Sequence, residues 1–357
     1  MRVVGKGERF MPLEKVGFED SLKRLVVPEL CVGCGSCVAF CPMKCLEYSD
    51  GLPRLVGKCT ECGICFQVCP SCGPPQEEIE RLIFGRERRT EEEFGVYRRV
   101  VVAQTTDRRI HEVCQDGGLV TSLLTFALEE GLIEGAIVSC VSEEKPLKPV
   151  PKLATTVEEI IECAGTRYVY SPNPLAFREA LARRVRSLAF VGTPCQIRAL
   201  RRMEIIPLKR YASALKLLIG LFCSESFTYE GFVVDGIKRK LGVDPKDVKK
   251  VNIKGKVLVT TVEGEVKALS IEDAKKYSWN CGRCGDFSAE LADISAGGVG
   301  LQGWTLTVIR TERGETLLKR AEEKGLIRVR PVEEEPKAYR ILVNLSRRKR
   351  RRLLRRR

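Results

Sequence analysis

Two cysteine runs, Cys31-x2-Cys34-x2-Cys37-x3-Cys41-Pro42 and Cys59-x2-Cys62-x2-Cys65-x3-Cys69-Pro70, repeat one ligand spacing 28 positions apart. Thiolates so spaced hold iron-sulfur clusters: three from one run grip one cluster, and the fourth reaches across to the other. The expected sets are Cys31, Cys34, Cys37 with Cys69, and Cys59, Cys62, Cys65 with Cys41, each around a [4Fe-4S] cluster that moves single electrons. Structural zinc uses four ligands, usually two Cys-x2-Cys pairs, and leaves a third cysteine and a repeated x3-Cys-Pro ending unexplained. A disulfide framework needs an oxidising compartment, whereas the stretch from Met1 to Arg9 has no apolar signal core. No uninterrupted apolar run is long enough to cross a bilayer. A cytoplasmic, reducing setting is expected.

Four further cysteines stand at suggestive places: Cys195 after Gly192-Thr193-Pro194, Cys223 at the end of an apolar run, and the pair Cys281-x2-Cys284. Spacing alone leaves them open between a third cluster and separate buried thiols, because free cysteine commonly packs as a small apolar residue. Cys140 and Cys163 are expected to be such buried thiols, and Cys45, Cys72 and Cys114 non-ligands. Gln115-Asp116-Gly117-Gly118 precedes an amphipathic helix. Glycines there let backbone N–H groups approach an anion such as a nucleotide diphosphate, or Asp116 simply caps the helix. Gly298-x-Gly300-x2-Gly303 fits the dinucleotide fingerprint, but a β-branched run follows where a helix is required, which argues against that site. His111, the only histidine, is a proton shuttle or, more simply, a surface residue.

The elements around these residues change character along the chain. Residues 28–75 form the double-cluster module after an extension over 1–27, and 76–98 read as a charged, partly helical linker. From 99 to 330, strands such as Val100–Ala103, Ala136–Val138, Leu188–Val191, Leu217–Phe222 and Thr305–Arg310 alternate with helical patterns. One helix begins near Gln196, another spans Glu315–Glu323, and a hairpin covers Val257–Leu269. The expected fold class is therefore α/β (α+β): a small ferredoxin-like iron-sulfur module followed by an α/β domain with a mixed sheet. The formal charge of +14 lies mostly in residues 331–357, where Arg347–Arg352 and Arg355–Arg357 hold nine positive charges, leaving +5 elsewhere. This basic segment is expected to be a solvated, disordered tail, with contact to an anionic surface as its functional alternative. Charged residues make up 30% of the chain and Asn plus Gln only ten positions, a balance found in proteins of hot environments.

Six segments in order carry a resemblance: Gln115–Thr121, Gly165–Asn173, Val191–Gln196, Gly220–Cys223, Cys281–Asp286 and Ala289–Ser295. The 99–330 region resembles the β subunits of coenzyme F420-reducing hydrogenases and related dehydrogenases, an archaeal family. The resemblance implies a flavoprotein binding FAD, and a third [4Fe-4S] cluster on Cys195, Cys223, Cys281 and Cys284. Flavin contacts are implied for Gly117, Gly118, Thr121, Ser171, Asn173, Thr193, Ser295, Gly297 and Gly298. Where the family has a longer Ser-Pro-Asp loop before Gly-Trp, this chain has Leu301-Gln302-Gly303-Trp304.

The chemistry so implied is an exchange of carriers. Coenzyme F420, the substrate, passes a hydride, whereas each cluster takes one electron, so the flavin stands between them. No catalytic acid or base is assigned. The implied partner is ferredoxin or the catalytic subunit of a hydrogenase or dehydrogenase. One alternative keeps FAD and the clusters but serves a different acceptor. Another makes the chain a non-enzymatic binder acting through its arginine-rich segment.

Overall fold

The computed structural model describes residues 14–72 and 74–354. The first part of the 1–27 extension and Arg355, Arg356 and Arg357 lie outside those residues. In residues 14–27, Phe18, Leu22 and Val26 recur at helical spacing and are buried against Cys31, Cys37, Cys41 and Cys65. The module itself pairs strands β1 (Leu46–Ser49) and β2 (Leu52–Leu55) with two short helices, Ser36–Ala39 and Ile64–Val68. Each helix opens inside one cysteine run, after a left-handed glycine, Gly35 or Gly63.

The larger domain is built on strands β3 (Arg99–Thr105), β4 (Gly135–Val141), β5 (Pro149–Ala154), β6 (Leu188–Gly192) and β7 (Leu215–Leu221). After a separate antiparallel sheet of β8 (Val248–Ile253), β9 (Val257–Thr261) and β10 (Val266–Leu269), the chain returns with β11 (Ile294–Gly297), β12 (Thr305–Ile309) and β13 (Ile327–Pro331). The eight-stranded order is β13-β3-β12-β11-β7-β6-β4-β5. Its centre, β11-β7-β6-β4, is parallel, and the remaining pairs are antiparallel. The apolar runs of β6 and β7 follow from burial on both faces. The helices Leu119–Glu129 and Glu312–Glu323 cover one face, and Phe177–Ala182 with Pro194–Ile205 the other.

The module is seated on that second face. Phe40, Ile64 and Val68 join Phe177, Leu200 and Met203 in one core, and Phe40 meets the rings of Phe177 and Tyr211 edge-on at 5.4 and 5.1 Å. A second contact comes from Trp279: a Cβ added to Gly51 would lie 2.1 Å from its ring, and one on Gly33 2.8 Å from its Nε1. Gly33 and Gly51 thus make the groove in which the indole lies, while Asn280 Nδ2 donates to the Cys31 carbonyl at 2.9 Å. Trp279→Ala is expected to cost on the order of 3 kcal/mol. Hydrogen exchange across β1 and β2 should accelerate while β4 and β6 stay protected. Unchanged exchange in the module would show that the indole does not hold it.

Three expectations change here. Residues 336–354 form a helix, Pro336–Leu354, packed on the domain through Ala338, Leu342, Ser346 and Lys349, so the segment is not a solvated tail. Its arginines are held by distant acids: Arg347 by Glu93 at 2.9 Å, Arg350 by Glu290 at 2.8 Å, and Arg352 by Glu225. The 76–98 segment is helical over Gln76–Phe84, as expected, but it is docked, with Glu80 and Glu92 buried. Cys140 and Cys163 are joined in a disulfide rather than standing as separate thiols. The packing of the Val157–Glu162 helix against β4 brings together two residues whose separation of 23 carries no sequence signal.

Candidate functional site

The eight module cysteines sort into two groups. Cys31, Cys34, Cys37 and Cys69 line one void, and Cys41, Cys59, Cys62 and Cys65 line another, the crossed arrangement that the spacing dictates. Each void opens to about 300 Å3 or more, solvent at its mouth included. Burial pushes the thiols of Cys34 and Cys65 up to about 12, and neighbouring cysteines add to the rise. Thiols this reluctant to ionise become thiolates only where a metal supplies positive charge, so the donor set fits a cluster. Cys45 also borders the second void, its Sγ 3.5 Å from that of Cys41, although it belongs to neither run.

Cys195, Cys223, Cys281 and Cys284 come from three places. Cys195 is in the first turn of the Pro194–Ile205 helix, whose Thr193 and Gln196 make reciprocal capping bonds. Cys223 follows β7, and Cys281 and Cys284 bracket one tight turn. The four lie within electrostatic range of one another, and Cys195 is also in range of Cys34 of the first module set. Burial pushes Cys195 and Cys281 up to about 12. The Thr193 hydroxyl is 3.2 Å and the Tyr170 hydroxyl 3.5 Å from Cys195 Sγ, and the Ser226 N–H donates to Cys281 Sγ at 3.4 Å. This donor set, too, fits a cluster, with hydroxyl and N–H groups ready to bond its sulfurs.

A cleft of about 1060 Å3, open to solvent, lies at the carboxyl ends of the parallel strands. Its rim includes Ser139 of β4, Gly192 closing β6, Leu221 closing β7 and Gly297 closing β11. Ligands of parallel α/β sheets bind at that end. Of the residues singled out from sequence, Gly118, Thr121, Ser171, Asn173, Thr193, Gly297 and Gly298 line the cleft. Gly117 and Ser295 do not. Gly117 is wedged against β3 and β12, where a Cβ would lie 2.6 Å from the Ala103 carbonyl, and its N–H donates to Thr305 Oγ1 at 3.1 Å. Ser295 is fully buried below the rim, donating to the Ala289 carbonyl and accepting from Arg310 Nε.

Other side chains enter the site unforeseen. Asp116 does not cap the following helix, whose N-cap is the left-handed Gly118 with no side-chain bond. It lines the cleft instead, its carboxyl raised by burial against the opposing pull of Lys250 and Lys254. Lys250 Nζ donates to the Gln115 carbonyl at 2.9 Å, so the small sheet reaches the cleft mouth. Arg167 lines the wall with a buried Nε that lacks a partner. Its place after Gly165-Thr166 was the available signal. His111 is exposed in the last turn of the Arg108–Val113 helix and is not among the cleft residues. The decisive geometry is a shared wall: Tyr170, Thr193 and Ser226 line the cleft and also touch the third cysteine set.

Comparison with known proteins matches three parts of the chain. Residues 100–178 and 185–335 match the N-terminal and C-terminal regions of the coenzyme F420 hydrogenase/dehydrogenase β subunit, and residues 23–70 match a 4Fe-4S dicluster domain. Coenzyme F420 hydrogenase subunit beta of Methanothermobacter thermautotrophicus is 39% identical over 259 residues, which is 71% of this chain and 91% of that protein. Coenzyme F420-dependent sulfite reductase of Methanocaldococcus jannaschii is 33% identical over 333 residues, 89% of this chain but 50% of that longer protein. Among solved structures, a chain of the F420-reducing [NiFe] hydrogenase complex from Methanosarcina barkeri superposes with a TM-score of 0.72 at 32% identity, covering 75% of this chain and 94% of that one. No helix among the described residues is long and apolar enough to cross a membrane.

Proposed function

Because the chain belongs to the coenzyme F420 hydrogenase/dehydrogenase β-subunit family and carries a dicluster module ahead of it, we propose that it transfers electrons between coenzyme F420 and one-electron carriers through FAD and three [4Fe-4S] clusters. The observation that carries this reading is the shared wall of Tyr170, Thr193 and Ser226, with Cys195 in turn within electrostatic range of Cys34. That adjacency supports a route from cleft to third cysteine set to module. FAD would supply the conversion between hydride and single electrons. The chain's own residues position and insulate. Thr193, Tyr170 and Ser226 direct hydroxyl and N–H groups at the third set, and Trp279 and Asn280 fix the module against it.

Arg167 and the backbone N–H groups opening the Leu119–Glu129 helix offer donors for an anionic moiety in the cleft. The electron partner is a hydrogenase or dehydrogenase catalytic subunit, or ferredoxin, in the cytoplasm. A second reading retains the cofactors and changes the acceptor. It draws on the sulfite reductase relative, whose match extends over 89% of this chain.

Anaerobically prepared protein is expected to hold about twelve irons and one FAD per chain. Reduced coenzyme F420 should bleach both the flavin and the cluster absorbance. Protein with eight irons or fewer, or with no yellow chromophore released on denaturation, contradicts the cofactor set. Full loading without any response to reduced F420 favours the second reading.

A further inference from the structure

The Pro336–Leu354 helix lies beyond the residues matched by the β-subunit family, which end at 335, yet it is packed directly on the third cysteine set. Leu342, Ser346, Lys349 and Leu353 recur at the spacing of one helical face. Leu353 rests on the loop that carries Cys281 and Cys284: a Cβ added to Gly285 would lie 2.8 Å from its Cδ2. On the same side Arg352 Nη2 donates to the Cys281 carbonyl at 2.9 Å. Lys349 is only 6% exposed, and its Nζ donates to the Cys223 carbonyl at 2.6 Å, facing Cys284, Cys223 and Cys281.

The neighbouring arginines each have a carboxylate: Glu93 for Arg347, Glu290 for Arg350, Glu225 for Arg352. Among the described residues no carboxylate stands within ion-pair distance of Lys349, although it is more deeply buried than any of the three; the buried Asp286 is in electrostatic range, as are the cysteines. A buried ammonium is costly unless other charge compensates it. A four-iron cluster on four thiolates, with a net charge of about −2 that becomes about −3 on taking one electron, is such a compensation.

We propose that Lys349 is the electrostatic counterpart of the third cluster, raising its reduction potential and balancing its charge during assembly. This rests on Cys195, Cys223, Cys281 and Cys284 holding a cluster. Lys349 touches neither substrate nor the reacting atoms; it acts through the field it imposes on the site. A fixed positive charge favours the more negative, reduced state, and at this range in a partly dry interior the effect is about tenfold or more in the ratio of reduced to oxidised cluster.

The test is an EPR-monitored redox titration of the full chain, reconstituted anaerobically, as wild type, K349Q and K349R. At the wild-type midpoint of the third cluster, K349Q should show a ratio of reduced to oxidised cluster about tenfold lower, a fall of about 59 mV for a one-electron couple. K349R should follow wild type, and the two module clusters should move much less. Loss of about four irons in K349Q but not in K349R also supports the charge role. If K349Q assembles fully with an unchanged midpoint, or if K349Q and K349R both lose the irons, the proposal fails. Wild type that itself carries only two clusters refutes the underlying site instead, and the iron count separates the two failures.

Discussion

Cys195→Ala is expected to leave the chain able to react with reduced coenzyme F420 yet unable to pass electrons to the module. Cys195 is the member of the third set that touches both sides of the proposed route. Its Sγ meets the cleft-lining Thr193 and Tyr170 on one side and is in electrostatic range of Cys34 on the other. Alanine removes the ligand and offers no substitute oxygen, so the third site should lose about four irons. Reduction of a one-electron acceptor driven by F420 should fall at least about 100-fold, beyond what loss of an outer-sphere partner alone costs. Bleaching of the proposed flavin by reduced F420 should persist, because Thr193, Ser171 and Asn173 remain to shape the cleft. A Cys195→Ala chain with its full iron content and wild-type acceptor reduction would remove this cysteine from the route.

What the sequence disclosed follows from how local each constraint is. The two module quartets were readable because ligand spacing within a run is fixed over ten residues, and even the exchange of Cys41 and Cys69 comes with that spacing. The strand-end positions of Cys195 and Cys223 were readable for the same reason. The closeness of Cys195 to Cys34 was not, because it depends on Trp279 lying in a groove made by Gly33 and Gly51 more than two hundred positions away. Motif membership likewise named Ser295 and Gly297 together without giving depth. Ser295 lies two residues down β11 from the rim, about 7 Å, and meets Arg310 and not the cleft. The arginine-rich segment was misread because composition was judged without its partners, Glu93, Glu225 and Glu290, which are far away in sequence. Its apolar residues, Leu342 and Leu353 among them, already carried a helical period.

Asp293, in the segment Ala289–Ser295 that helped to carry the family resemblance, is expected to give the largest stability loss of any single substitution in the larger domain. It is fully buried at the start of β11 and ties four elements together. One oxygen accepts from Arg201 of the Pro194–Ile205 helix at 2.9 Å, from Thr311 Oγ1 at 2.8 Å and from Arg313 Nε at 2.7 Å. The other accepts the Leu218 N–H of β7 at 2.7 Å. Asp293→Ala leaves the buried Arg201 guanidinium without this carboxylate, and breaking a buried pair from one side costs about 3–5 kcal/mol. Asp293→Asn keeps the shape but has a single oxygen, so either the two arginines with Thr311 or the Leu218 N–H faces an amide donor. Burial would raise the carboxyl, but Arg201 and Arg313 override it and hold Asp293 at about 2. A folded value below the unfolded one stabilises the protein above the unfolded value, near 4, and that share, about 2 kcal/mol, disappears as the pH falls from about 4 towards 2. Thermal unfolding of wild type and Asp293→Asn should therefore differ by a constant gap from pH 7 to about 5, which narrows below about 4. Acid lability of the thiolate sites is common to both chains and cancels in the difference. A gap that is already absent at pH 7, or that widens in acid, would show that the carboxylate charge is not what binds β11 to the helices around it.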